Sequence, residues 1–162
     1  MTHINQSETP TATFSFDYSA YVAKEAARTR KAEELRPANK AALFDALAGA
    51  GIISVVVEFD GYGDEGQIES VHARDAHREV VLPEKKIELA SPAYDSDDVV
   101  RRSVTVRETI EELAYDLLEE TYAGWENNDG AYGEFAFDVA ERTITLDYNG
   151  RYTAVDSYSH EF

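Results

Sequence analysis

Apolar residues at Ile110, Leu113, Ala114, Leu117, Leu118 and Tyr122 recur at i, i+3, i+4, i+7, i+8 and i+12. That spacing predicts an amphipathic helix over residues 105–123. Thr105 and Glu108 have capping-box spacing, and Gly124 stands where such a helix would stop. The opposite face carries Glu111, Glu112, Asp116, Glu119 and Glu120. Ile52–Phe59 is the most apolar run and is rich in β-branched residues, so it predicts a central strand. A glycine-rich turn, Asp60–Gly66, leads into Gln67–Ala73, whose alternation predicts the returning strand. Glu79–Leu82 and Lys86–Leu89 flank Pro83 and predict either an edge hairpin or a loop and one strand. Residues 91–103 read as a surface connection. Past Gly124 the period is two: Tyr132–Val139 and Thr143–Tyr148 predict strands whose Phe135, Phe137, Val139, Ile144, Leu146 and Tyr148 meet the helix 105–123. Asn149-Gly150 is a hairpin dipeptide, which predicts that Arg151–Asp156 pairs back.

The beginning of the chain is patterned differently. Residues 1–13 are polar and read as a loose tail. The aromatics of Phe14–Tyr21 either anchor that tail or open a helix near Asp17. Ser19–Leu35 consists of strong helix formers with a thin apolar face of Tyr21, Val22, Ala26 and Ala27. Pro37 fits a first helical position, so a second helix is expected over 38–50, burying Leu43, Phe44 and Leu47. The fold class this implies is α+β: an antiparallel sheet of five or six strands with two or three helices packed on one face. Residues 1–36 form a polar tail and neutral helix, and residues 37–162 a single domain.

Charge sharpens that division. The formal net charge is −17, from 15 Lys and Arg against 32 Asp and Glu. Residues 1–51 hold six of each sign, residues 52–100 four cations against twelve anions, and residues 101–162 five against fourteen. A surface of that sign repels phosphates and anionic lipid, so neither direct nucleic-acid binding nor membrane association is expected. The fitting partner is a basic protein, and the chain itself is expected as monomer or homodimer. With no Cys, disulfides and thiolate chemistry are excluded. The start has neither a basic region nor an apolar run, which favours a cytoplasmic location.

Gly61–Glu69 and Trp125–Phe135, with Leu146-Asp-Tyr-Asn149 and His160-Glu-Phe162, resemble a family of small uncharacterised bacterial proteins often carried on plasmids and genomic islands. The resemblance covers roughly residues 50–162. It implies a domain of unknown function in a mobile-element setting, where small acidic proteins often block a host defence such as CRISPR or restriction by occupying nucleic-acid sites. Two turns also share a pattern, Gly63-Asp-Glu-Gly66-Gln-Ile and Gly130-Ala-Tyr-Gly133-Glu-Phe. Asp60, Tyr62, Asp64, Glu65 and Glu69 cluster at one, and Trp125, Glu126, Asp129, Tyr132 and Glu134 at the other. These ten are the expected partner-binding residues. The acids at 60, 64 and 69 do not match a calcium-loop spacing, a strand rather than a helix follows the glycines, and no His pair has metalloprotease spacing. No catalytic residue, metal or cofactor is therefore expected. The alternative is a carboxylate-based or divalent-cation-dependent enzyme, with Glu69 and Glu134 as the acid/base pair where the turns adjoin.

Overall fold

The computed structural model describes residues 15–162. The elements are α1 (Tyr18–Gly49), β1 (Ser54–Tyr62), β2 (Glu65–Arg74), β3 (Glu79–Val80), β4 (Lys86–Pro92), β5 (Val99–Thr105), α2 (Val106–Thr121), β6 (Ala131–Asp138) and β7 (Thr143–Gly150). One antiparallel sheet has the order β3-β2-β1-β6-β7, and β4 pairs with β5 in a second sheet. The class is α+β as the pattern predicts, and β1, the most apolar strand, lies at the centre.

Alternation decides which way the large sheet faces. Val55, Val57 and Phe59 of β1 and Phe135 and Phe137 of β6 point inward and are buried with Leu43, Phe44 and Leu47 of α1 and Ile110, Ala114 and Leu118 of α2. Phe44 lies 6.2 Å from Phe137 between ring centroids. Tyr122, just past α2, stacks on Tyr148 of β7 at 3.7 Å, so the helix and last strand meet as their periods require. The capping box closes both ways: Glu108 N–H donates to Thr105 Oγ1 at 3.1 Å, and Thr105 N–H to Glu108 Oε2 at 3.2 Å.

Four expectations are corrected. Pro37 does not start a second helix but lies inside α1, which is continuous from Tyr18. Pro37 and Glu33 are both exposed, so the carbonyl that loses its donor faces water, and strong helix formers on either side carry the helix through. Asp17 caps its start, accepting from Ala20 N–H at 3.1 Å. Residues 1–13, read as a tail, lie outside the described residues. Glu79–Val80 and Lys86–Pro92 do not form a hairpin with each other: the first pairs with β2, the second with β5. Residues 91–103 are thus no mere connection, since they close one hairpin and supply most of a strand. Asn39 of α1 holds the other edge of β4, donating Nδ2–H to the Ala90 carbonyl at 2.8 Å and accepting from Ala90 N–H at 2.9 Å. Finally, Asn149-Gly150 makes no turn. Both residues extend β7, opposite Tyr132 and Ala131, because β6 offers ladder partners that far, and residues 151–162 form no strand.

Candidate functional site

The open face of the large sheet follows from the same alternation. With Val57 and Phe59 inward, Glu58 and Asp60 point outward, as do Tyr132 and Glu134 on β6 and Asp147 and Asn149 on β7. The register then sets Glu58 opposite Glu134 and Glu134 opposite Asp147, three carboxylates in one row across three adjacent strands. A bulge in the β1–β2 pairing passes over Glu69, which joins the group. Glu58, Asp60, Glu69, Tyr132, Glu134, Asp147 and Asn149 line a shallow recess of about 330 Å³. Ser70 Oγ–H donates to Glu58 Oε2 at 2.6 Å, and Gln67 Nε2–H to Glu69 Oε1 at 3.0 Å. Like charges directly opposed across strands cost stability.

Asp60 is the one carboxylate of the recess that is ion-paired among the described residues. Arg151 donates from Nη1 to Asp60 Oδ1 at 2.8 Å and from Nη2 to Oδ2 at 3.2 Å. Its guanidinium also lies 4.6 Å from the Tyr132 ring centroid. The hydrogen bonds to Asp60 hold the Arg151 pKa above its ordinary value. A forked carboxylate beneath and an aromatic face alongside are the two surfaces that suit a planar cation.

The two glycine-rich turns adjoin. Gly63 N–H donates to the Asn128 carbonyl and Asp64 N–H to the Glu126 carbonyl, each at 3.1 Å. The first turn is tighter than the sequence indicates. Tyr62 pairs with Glu65, and only Gly63 and Asp64 lie between them, at φ 59° and 67°. That is the left-handed geometry of a two-residue hairpin. Gly61 and Gly66, paired across the strands, instead make room for Trp125. A Cβ on either would fall 2.6 or 2.4 Å from the indole. A Cβ on Gly130 would strike the Gly61 carbonyl at 1.7 Å, and one on Gly133 the Asp147 carbonyl at 2.0 Å. The shared G-x-x-G spacing thus has different causes in the two turns.

The ten sequence-predicted residues divide accordingly. Asp60, Glu69, Tyr132 and Glu134 come together on the open face. Tyr62, Asp64 and Glu65 line an adjoining recess with Asp60 and Glu69. Trp125 is 5% exposed and packs edge-on against Phe59 at 5.5 Å. Glu126 gives its main-chain carbonyl to Asp64, and one of its carboxylate oxygens is buried without a hydrogen-bond partner. Asp129 accepts from Thr153 Oγ–H at 2.8 Å. Glu58, Asp147 and Asn149 were missed, although their alternation with Val57, Leu146 and Tyr148 marks them as outward. Among the described residues, no group of three or more His, Asp or Glu is arranged to hold a metal ion, and no helix is long and apolar enough to cross a membrane.

A family model with the description Family of unknown function (DUF6878) matches residues 35–162. No curated protein matches the chain, and no solved structure does.

Proposed function

The chain belongs to that family of unknown function, and we propose that it is a non-enzymatic interaction protein whose open sheet face engages a basic, normally nucleic-acid-binding site on another protein. The row Glu58–Glu134–Asp147 carries this reading. Three aligned carboxylates repel one another, and a sheet selected for stability alone would separate them. Arg151 against Asp60 and Tyr132 is an intramolecular instance of the contact a partner's arginines would make. Each exposed pair contributes only about 0–1 kcal/mol, so affinity has to come from many pairs and should fall steeply with salt. A narrower form, resting on the mobile-element resemblance, makes that partner a host-defence nuclease of the CRISPR or restriction type.

The test is capture of an arginine-rich peptide and of basic nucleic-acid-binding proteins at low and high salt, by the native chain and by the triple variant Glu58→Gln/Glu134→Gln/Asp147→Asn. Native capture should be salt-sensitive and the triple variant's much weaker. Capture indifferent to salt, or equal in the variant, would sink the proposal. A second reading follows from Glu69 and Glu134 sharing the recess: a carboxylate-based enzyme, with or without a divalent cation. It requires Mg²⁺ or Ca²⁺ to raise the melting temperature or a hydrolytic activity to vanish in Glu134→Gln.

A further inference from the structure

Residues 151–162 carry no regular structure and are exposed throughout. The root is fastened: Arg151 N–H donates to the Gly130 carbonyl at 2.9 Å, and its side chain and Thr153 are held as described above. From Ala154 onward no hydrogen bond among the described residues ties the segment down. Yet Tyr152, Val155, Tyr158 and Phe162 are each at least 79% exposed. Single exposed apolar side chains need no explanation, but four within twelve residues form a strip with nothing to cover it. Beyond Arg151 its Asp and Glu are Asp156 and Glu161, and no Lys or Arg offsets them.

Apart from the two-residue β3, three strand edges of the body stand open among the described residues. Along β2, the stretch not paired to β3 carries Glu65 and Glu69, and β7 carries Asp147. Only the edge of β5 is positive. Its sequence is Val-Val-Arg-Arg-Ser-Val-Thr, Val99 and Val100 are exposed, and no main-chain hydrogen bond leaves its outer side among the described residues. Arg102 is committed to Glu112 and Ser91. Arg101 makes no ion pair among the described residues. The outer edge of β4 is occupied at Ala90 by Asn39, whereas no such bond caps the edge of β5 among the described residues.

We propose that residues 152–162 of one copy add as a strand to the open β5 edge of a second copy. Docking has to order the segment, and main-chain pairing along the edge together with burial of its apolar side chains offsets that cost. On a paired strand Tyr152, Asp156, Tyr158 and Phe162 share one side, as Val99 and Arg101 do on β5, so the aromatics give Val99 an apolar cover. Charge selects the edge, since an anionic segment is repelled by the other two. It also sets the register: Asp97 and Asp98, just before β5, push Asp156 toward Arg101. Exchange in both directions closes a two-fold dimer and leaves the acidic face free.

Light scattering over a concentration series tests this with two exposed-site variants, Arg101→Glu and Asp156→Arg, whose melting curves should match the native one. The native chain should dimerise, and each variant should raise the dissociation constant by about tenfold or more. Mixing the two should restore a heterodimer, because the Arg101→Glu edge then meets the Asp156→Arg segment and the native Arg101 edge the native Asp156 segment. A native chain that stays monomeric, an oligomer indifferent to both substitutions, or a mixture that gives no recovery overturns the proposal.

Discussion

Trp125 fills the space left by the glycine pair beneath it, and two expectations belong to that fit. Gly66→Ala puts a methyl into the indole and should destabilise by about 1–3 kcal/mol, whereas Trp125→Ala empties the site and should cost about 3–5 kcal/mol, both read by urea denaturation. Because the residues touch, the double substitution should cost less than the sum. Asp116 sets a separate case. It is exposed on one side and on the other lines a crevice between α1, α2 and the small sheet, where partial desolvation raises its carboxyl pKa above the ordinary 3.8 and the charge of Arg36 only partly opposes this. A raised folded-state pKa means the fold holds the proton more tightly than the unfolded chain does. Stability from this group is therefore greatest below about 3.8 and declines as pH climbs through the raised value. Asp116→Asn should be the more stable form at neutral pH, and its advantage should disappear in acid, as melting curves at several pH values would show.

At the scale of elements, the sequence was most legible where short-range physics decides. The cap at Thr105, the 3.6 period of α2 and the alternation of β6 all lie within a few residues of the signals that cause them. Thr105→Ala should remove about 1 kcal/mol, measured by thermal melting. Where long-range partners decide, the signals misled. Asn149-Gly150 suits a tight turn, but β6 outbids it with two more ladder pairs. Pro37 looks like a helix start because nothing nearby reveals that its missing donor would face water. Pro37→Ala should accordingly stabilise by about 2 kcal/mol, a gain reduced by the freer unfolded chain. A calorimetric loss of stability would mean that the proline fixes a bend the fold needs. β5 escaped notice because its residues are polar or exposed along most of its length. The candidate site was half legible for the same reason. Outward acids can be read from alternation, but that Glu58 joins Glu134 and Asp147 in one row depends on the register of β1 with β6, whose paired Glu58 and Glu134 are 76 residues apart.

Over the whole molecule, the charge of −17 should make stability rise with added salt, as screening relaxes repulsion across exposed carboxylates within a Debye length of about 8 Å at physiological ionic strength. The triple substitution on the open face should melt higher than the native chain at low salt and gain less from salt thereafter. Equal salt responses would mean that the repulsion is spread over the surface, including the acidic side of α2, and is not gathered on the sheet. One feature makes such measurements simple to interpret. Trp125 is the only tryptophan, and it is clamped where the loop before β6 crosses the first hairpin. Its fluorescence is therefore a gauge of that one joint. An emission shift to the red that precedes the loss of far-ultraviolet circular dichroism would time the parting of the loop from the hairpin separately from global unfolding.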